Sequence, residues 1–207
     1  DNGFFHIPND DGNIHTVDGA TPGYYTFTFV DNDGILDMTV DKVKQTVWDA
    51  AADRNLWLTA NQSNMEFFFA TGDGWAGIDP AEYESDGNHY YLTFPEDLGS
   101  LQWQAQVKFK TLGFSTSAAN TYDFQVKILS AQDHPSITIK LVKEGDDNTY
   151  YCADVHSVTG GEEYVYRLEK MAGIDMEDVQ LVFDFAGGVG GSKLEFYDII
   201  IQEHYAE

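Results

Sequence analysis

The sequence predicts an all-β protein whose main part is a β-sandwich, and three observations support this fold class. Short runs that alternate apolar and polar residues recur along the chain, as strands do when one face packs on a core. Gly, Asn, Asp and Pro separate these runs, whereas helical periodicity is hard to find. With 207 residues, of which 43% are hydrophobic and 14% aromatic, the chain can build a sizeable core.

The alternating runs predict the strands, and their order divides the chain in two. The predicted strands are residues 24–30, 35–40, 90–94, 103–110, 122–129, 137–142, 149–153, 164–168, 180–185 and 194–202. The first two form a hairpin around a turn at 31–34. Residues 1–48 hold too few strands to bury a core alone, so this N-terminal β segment is either a truncated immunoglobulin-like unit or an apron on the main domain. Residues 53–207 form the main domain, after a connector at 47–53.

One face of the predicted strands is rich in amides and lysines. Because successive side chains of a strand point to opposite faces, the apolar sets leave a second, polar set. This set is Gln104, Gln106, Lys108, Lys110, Asp123, Gln125, Lys127, Thr138, Lys140, Gln180, Val182 and Asp184. We expect Lys108, Lys127 and Lys140 to lie close together in one sheet. The face is either an ion-pair lattice or a set of donors aimed at a ligand, because Gln and Lys are otherwise poor strand formers.

Charge and cysteine usage limit the possible partners. The formal net charge of −24 comes from 35 acidic and 11 basic residues, which argues against nucleic acids and anionic membrane surfaces as partners. A neutral ligand, a basic ligand or a cation fits this charge. The lone Cys152 excludes an internal disulfide, and its strand context predicts a small buried hydrophobe. No apolar run is long enough for a membrane span. The sequence fits both a mature secreted or surface-anchored protein whose leader was removed and a cytosolic protein, so the compartment stays open.

Catalysis is not expected. Sandwich glycosidases of the laminarinase type carry Glu-x-Asp-x-x-Glu or Glu-x-Asp-x-Glu on one strand, and the nearest run, 173–177, has Gly173 in the place of the nucleophile. The six histidines show no metal-ligand spacing. The Gly-rich segment 187–191 is followed by a strand and not by the helix that a phosphate loop needs.

Five segments, in this order, carry a resemblance to a known family. They are the run Asn55-Leu56-Trp57-Leu58, which resembles an opening Asn-Leu-Leu strand; Gly74-Trp75 after the first loop; Trp103-Gln104-Ala105-Gln106-Val107; Asn120-Thr121-Tyr122-Asp123-Phe124; and a closing hairpin with Gln180, Asp184 and Tyr197-Asp198-Ile199-Ile200. Together they resemble jelly-roll carbohydrate-binding modules of the family 4, 9 and 22 type. Such modules occur in Bacteroidetes surface glycan-binding proteins and as accessory modules of glycanases.

The resemblance implies non-catalytic binding of a polysaccharide or oligosaccharide in a groove on a sheet face. A soluble β-linked glycan such as xylan or a β-glucan is the expected ligand. In related modules, amides at the positions of Gln180 and Asp184 hydrogen-bond the glycan, so Asp184 either shifts the sugar preference or pairs with a lysine. The expected contact residues are Trp75, Tyr83, Trp103, Gln104, Gln106, Lys108, Lys140, Tyr150, Gln180 and Asp184. Tyr150 and Tyr151 point to opposite faces, so only one of them can stack on a sugar.

The resemblance also implies a structural calcium, for which Asp198 is the expected ligand; the alternative for Asp198 is a solvent-facing strand residue. It further implies an extracellular or outer-membrane-associated surface location, with the leader removed, and a place in a larger multidomain protein or enzyme. A function of a different class stays open. The chain could instead be a structural or adhesive β-sandwich that binds a protein partner through a flat apolar patch.

Overall fold

The computed structural model describes residues 25–33, 35–60, 65–69, 80–99, 104–185 and 190–207. The elements are β1 (Tyr25–Asn32), β2 (Ile35–Lys42), α1 (Leu56–Thr59), β3 (Met65–Phe69), β4 (Glu82–Ser85), β5 (His89–Thr93), β6 (Ala105–Phe109), β7 (Thr121–Ser130), β8 (His134–Lys143), β9 (Asp146–Val158), β10 (Glu163–Ala172), β11 (Val179–Phe185) and β12 (Lys193–Glu203). The chain divides into two compact units, one of residues 1–47 with 206–207 and one of residues 48–205. No helix in the described part of the chain is long and apolar enough to cross a membrane.

The smaller unit contains the antiparallel hairpin of β1 and β2. Asp33 adopts a positive φ of 52° in the turn between them, a conformation that Asp tolerates better than most residues. The end of the chain belongs to this unit, since Gln45 and Glu207 exchange two backbone hydrogen bonds of 2.9 and 3.0 Å. The predicted hairpin is therefore confirmed, whereas its membership of an immunoglobulin-like unit stays a prediction.

The larger unit is a sandwich of two five-stranded antiparallel sheets. Sheet I has the strand order β10-β7-β12-β5-β4, and sheet II has the order β3-β6-β11-β8-β9. Aromatic rings join the sheets: the centroids of Phe183 and Phe196 are 4.5 Å apart, and those of Phe94 and Phe185 are 4.9 Å apart. All four side chains are fully buried. The predicted all-β sandwich is confirmed.

The ten predicted strands all occur, and two further strands were not predicted. Strand β3 reads Met-Glu-Phe-Phe-Phe, so it has a single polar residue and shows no alternation. Strand β4 reads Glu-Tyr-Glu-Ser and is exposed along its whole length, so it lacks the apolar partner set that marks a strand. Both are edge strands of their sheets. Edge strands bury less side-chain surface, and their sequences are correspondingly less constrained.

The segment from Asn55 to Leu58 is a helix, and its prediction as an opening strand was wrong. Asn55 caps α1, because its Oδ1 accepts a hydrogen bond from the backbone N–H of Trp57 at 3.1 Å. The same buried side chain also bonds the backbone of β12, donating to the Ile199 carbonyl (2.9 Å) and accepting from the Ile201 N–H (3.1 Å). The three apolar residues that follow Asn55 do not reveal such a cap. Trp57, in the middle of them, is completely buried.

Other core predictions also hold. Cys152 is buried, and burial raises the pKa of its thiol to about 11, so it behaves as a small hydrophobe. Strand β12 has a bulge between Tyr197 and Ile200, where Asp198 has a φ of 48°. The bulge changes which alternate residues of the strand point into the core. Leu194 and Phe196 belong to the hydrophobic core before the bulge, and Ile199 and Ile201 belong to it after the bulge.

Candidate functional site

Most of the predicted contact residues lie on the outer face of sheet II, which we call the sheet II face. The register places them in cross-strand rows. Thr138, Asp184 and Gln106 are neighbours across β8, β11 and β6, and the next row contains Lys140, Val182, Lys108 and Glu66. Tyr150 of β9 lies opposite Val142, which in turn lies opposite Gln180. Six of the ten predicted contact residues therefore share one surface: Gln106, Lys108, Lys140, Tyr150, Gln180 and Asp184.

Asp184 lies at the centre of the sheet II face and is held by two neighbours. Its Oδ1 accepts a hydrogen bond from Nε2 of Gln106 at 2.6 Å, and its Oδ2 contacts the ammonium of Lys140. The side chain is 3% exposed, whereas that of Lys140 is 30% exposed. A carboxylate buried to this extent requires an opposite charge and hydrogen bonds, and these two neighbours supply them. The alternative in which Asp184 pairs with a lysine is confirmed.

A cleft of about 390 Å³ opens at one end of this face. It is lined by Lys108, Lys110, Glu144, Gly145, Asp147 and Gln180. Glu144 is fixed, because its carboxylate accepts from the backbone N–H of Thr111 at 2.6 Å and also bonds the Thr111 hydroxyl. The turn between β8 and β9, which contains Glu144 and lines the cleft, is therefore hydrogen-bonded to the segment just after β6. Glu144 and Asp147 were not among the predicted contact residues; Glu144 lies in the turn between β8 and β9, and Asp147 lies at the start of β9.

Lysines on this face differ in how far they are neutralised. Lys110 forms an ion pair with Glu66 at 2.9 Å; this hydrogen bond lowers the pKa of the Glu66 carboxyl and raises the pKa of Lys110. Lys140 is paired with Asp184. Within the described ranges, Lys108 has no carboxylate within ion-pair distance. Of these three lysines, Lys108, whose side chain lies in the cleft beside Gln180, is therefore the one without an ion pair in the described ranges.

Tyr150 is an exposed aromatic residue of this face. It is 48% exposed, so its ring is accessible at the edge of the sheet. Tyr151 packs against the core, and its hydroxyl accepts a hydrogen bond from the Ile174 N–H at 3.0 Å. Burial raises the pKa of Tyr151. The two tyrosines do point to different environments, and Tyr150 is the one available to a ligand.

The remaining predicted contact residues lie elsewhere. Gln104 precedes β6 and is 1% exposed, so its side chain is buried. Tyr83 belongs to β4 of sheet I, and its ring contacts that of Phe67 with the centroids 5.1 Å apart. Trp75 and Trp103 lie outside the described residues.

The predicted grouping of Lys108, Lys127 and Lys140 in one sheet was wrong. Lys127 is on β7 in sheet I, whereas Lys108 and Lys140 are on β6 and β8, either side of β11 in sheet II. The alternation of β7 shows that Lys127 points away from the core, and the structure confirms this, but alternation does not show to which sheet a strand belongs. That assignment depends on long-range pairing.

Asp198, the predicted calcium ligand, lies beside a lysine on the outer face of sheet I. Its Oδ2 lies 2.9 Å from the ammonium of Lys127, so a cation already occupies one side of the carboxylate. Calcium takes six to eight oxygen ligands. Within the described ranges no three His, Cys, Asp or Glu side chains are grouped as a metal site. The assignment of Asp198 as a calcium ligand stays a prediction that these contacts do not favour.

Comparison with known proteins identifies the fold. No protein-family model matches the sequence, and no curated protein matches it either. Among solved structures, a family 4 carbohydrate-binding module matches with a TM-score of 0.50 at 20% identity, covering 69% of this chain and 89% of the module.

Two further solved structures match at lower TM-scores. The N-terminal cellulose-binding domain of Cellulomonas fimi β-1,4-glucanase C matches with a TM-score of 0.47 at 10% identity, covering 72% of this chain and 93% of that domain. A family 29 module in complex with mannohexaose matches with a TM-score of 0.37 at 12% identity, covering 70% and 92%. The similarity to the family 4 module shows that the larger unit of this chain has the jelly-roll fold of a carbohydrate-binding module.

Proposed function

We propose that this protein binds a polysaccharide or oligosaccharide chain, without catalysis, on the sheet II face. The observation that carries the proposal is the cleft in which Lys108 and Gln180 lie side by side, on the same face as the exposed ring of Tyr150. The fold shared with a family 4 carbohydrate-binding module supports it.

The chemistry of the face suits a sugar. Sugar hydroxyls both donate and accept hydrogen bonds, so they are matched by ammonium groups and by amides, which carry donors and an acceptor together. The C–H faces of a sugar ring can stack on the exposed ring of Tyr150.

The arrangement across strands suggests the shape of the ligand. The row from Tyr150 through Val142 to Gln180 crosses three adjacent strands, and adjacent strands are about 4.8 Å apart. An extended, soluble β-linked chain such as xylan or a β-glucan fits a surface of this kind better than a single sugar does. We further propose an extracellular or surface setting within a larger glycan-degrading or glycan-capturing protein, as in Bacteroidetes surface glycan-binding proteins.

Two carboxylates of the sheet II face, Asp184 and Glu66, already have partners inside the protein, which supports binding without glycoside hydrolysis. That reaction needs two carboxyl groups, one to protonate the leaving oxygen and one to act as nucleophile or base. Asp184 is held by Lys140 and Gln106, and Glu66 is paired with Lys110. The hydrogen bond from Lys110 lowers the pKa of the Glu66 carboxyl, which makes Glu66 a poor proton donor.

Affinity electrophoresis tests the proposal. Gels containing xylan, mixed-linkage glucan, laminarin, mannan or starch should retard the protein in at least one case. Lys108→Ala should reduce the retardation, whereas Lys193→Ala, a matched change on β12 of sheet I, should not. Retardation by none of these glycans would contradict glycan binding and would favour the adhesive alternative, in which the face contacts a protein.

A further inference from the structure

The geometry points to a positioning role for Asp184, and we propose that it contacts no ligand itself. In this proposal Asp184 fixes which hydrogen-bonding groups Gln106 and Lys140 present: the carbonyl oxygen of Gln106 and the free N–H donors of Lys140. The inference rests on the proposed function and deepens it, because it defines what the ligand must offer at the centre of the sheet II face.

Both oxygens of Asp184 already have partners inside the protein. Oδ1 accepts from Gln106 and Oδ2 contacts Lys140. The side chain is nearly inaccessible, as expected on β11, where all seven residues are buried and a strand lies on either side. A ligand hydroxyl would have to displace one of these partners to reach the carboxylate, and a charge-assisted hydrogen bond is not easily displaced.

The Gln106 amide can be oriented in only one way by this contact. A carboxylate accepts hydrogen bonds and cannot donate them, so the group that faces Asp184 at 2.6 Å must be the NH₂ of Gln106. The carbonyl oxygen of Gln106 then points away from Asp184. No described residue donates a hydrogen bond to this oxygen, and the side chain is only half-buried. Gln106 therefore presents an acceptor to the surface.

Lys140 presents the opposite polarity. An ammonium has three N–H donors, and within the described part of the chain its partner is Asp184. The contact holds the flexible side chain in one position while its other donors remain for a ligand. Gln106 and Lys140 stand on the two strands that flank β11, so the acceptor and the donors lie on either side of Asp184.

A ligand that fits this centre donates a hydroxyl proton to Gln106 and offers an oxygen lone pair to Lys140. Without Asp184 the amide is free to rotate and to present either group, and the ammonium is free to move. Loss of Asp184 should therefore weaken binding through the disorder of its two neighbours, and not through a lost contact with the ligand.

A mutant cycle separates these two routes. Isothermal titration with the best glycan from the gel panel would compare wild type, Asp184→Ala, the double variant Gln106→Ala/Lys140→Met, and the triple variant. We expect Asp184→Ala to weaken binding about tenfold in the wild-type background, which corresponds to one hydrogen bond to a charged group. In the double-variant background it should change the affinity by less than about twofold, because the groups that Asp184 positions are gone.

Two further measurements keep the test independent of folding and of the ligand. Asp184→Asn keeps an oxygen for Gln106 but loses the charge that holds Lys140, so it should weaken binding less than Asp184→Ala does. Without any glycan, the side-chain amide NMR signal of Gln106, identified by its absence in Gln106→Ala, should shift in Asp184→Ala. Thermal unfolding of each variant would show that the folded state is populated.

The outcomes distinguish this inference from the proposed function. A further tenfold loss on adding Asp184→Ala to the double variant would show a direct ligand contact and overturn the inference alone. An unmoved Gln106 amide signal would overturn it as well. If wild type binds no glycan, the proposed function fails, and a shifted amide signal would then show that the three side chains are architecture only.

Discussion

The outer faces of the two sheets have similar polar sequences but differ in how their charged groups are partnered. On sheet I the groups satisfy one another through the pairs His89–Glu195 and Lys127–Asp198, both at 2.9 Å, and Tyr197–Glu163 at 2.5 Å. The rings of His89 and Tyr91 stack with their centroids 4.2 Å apart. On sheet II the central Asp184 is satisfied, whereas within the described residues Lys108 forms no ion pair and the side-chain carbonyl of Gln106 accepts no hydrogen bond.

This difference supports the proposal that the sheet II face binds a ligand, whereas the sheet I face is structural. Both faces arise from the same alternation of apolar and polar residues, and both carry lysines beside carboxylates. A face whose donors and acceptors are all paired gains little from a ligand, because each new hydrogen bond replaces an existing one. A face with unpaired groups around a fixed central side chain can gain the full free energy of each new hydrogen bond, because no existing bond is replaced.

The largest expected effect comes from comparing one lysine on each face. Lys140→Met should weaken glycan binding about tenfold, because it removes a charged donor, and should lower the free energy of unfolding by about 2 kcal/mol, because it leaves the buried Asp184 without a cation. Lys127→Met removes a partly exposed pair with Asp198 and should cost less than about 1 kcal/mol, with unchanged binding. Titration calorimetry and urea unfolding measure both.

Equal binding losses in the two variants would show that the faces are not functionally different. A Lys140→Met protein that is less stable but binds its glycan normally would show that the lysine belongs to an ion-pair lattice.

Much of the fold could be predicted from the sequence, because it depends on local patterns. A strand that alternates clearly, such as β6, has its buried residues where the pattern places them. The exceptions have physical reasons: β4 is too exposed to show a pattern, and the cap of Asn55 works through contacts with β12, far along the chain. Assignment of a strand to a sheet is also non-local, which is why Lys127 was placed on the wrong one.

The second comparison uses one exposed tyrosine on each face. Tyr150 is 48% exposed on sheet II, and Tyr91 is 38% exposed on sheet I. Tyr150→Ala should weaken glycan binding by about 1 kcal/mol, the usual contribution of an aromatic contact, whereas Tyr91→Ala should leave the affinity unchanged. Affinity electrophoresis at several glycan concentrations gives both values. A loss with Tyr91→Ala and none with Tyr150→Ala would place the ligand on the other face.

The candidate site was predictable only in part, and the reason is again locality. Gln106, Lys108, Lys140 and Asp184 share parity on strands that the sequence predicts. Other residues around the site could not be placed from the sequence. Glu66 lies on strand β3, which was not predicted, and Glu144 is held by Thr111, which is 33 residues away in the sequence. Which polar groups are left unpaired depends on these residues, so it could not be predicted before the sheets were assembled.

The third prediction concerns the end of the sandwich, where sheet II meets the segment before β12. His134 is buried, its Nε2 lies 2.8 Å from the hydroxyl of Ser192, and burial lowers its pKa. A histidine whose pKa is lower in the folded state binds protons more weakly than it does in the unfolded chain. Stability should therefore fall as the pH drops below about 6.5, the ordinary histidine value.

Urea unfolding at several values between pH 7 and pH 5 tests this sign. His134→Gln, which keeps an amide near Ser192, should reduce the dependence on pH. Some dependence should remain, because burial also lowers the pKa of His156. The lowered pKa of the Glu66 carboxyl affects stability only below about pH 4.5, outside this window. The same slope in wild type and in His134→Gln would contradict the assignment.

The smallest expected effect concerns calcium and the sheet I face. If Asp198 belongs to the paired network, its carboxylate is held by Lys127 at 2.9 Å, and calcium would have to displace that ammonium and find further oxygen ligands. A cation that binds only the folded state raises the melting temperature. We therefore expect the same melting temperature in EDTA and in excess calcium, both for wild type and for Asp198→Asn. A rise with calcium that Asp198→Asn abolishes would restore Asp198 as a metal ligand, and it would show that the sheet I face has an open site after all. A rise that persists in Asp198→Asn would place the cation elsewhere, and the paired state of the sheet I face would stand.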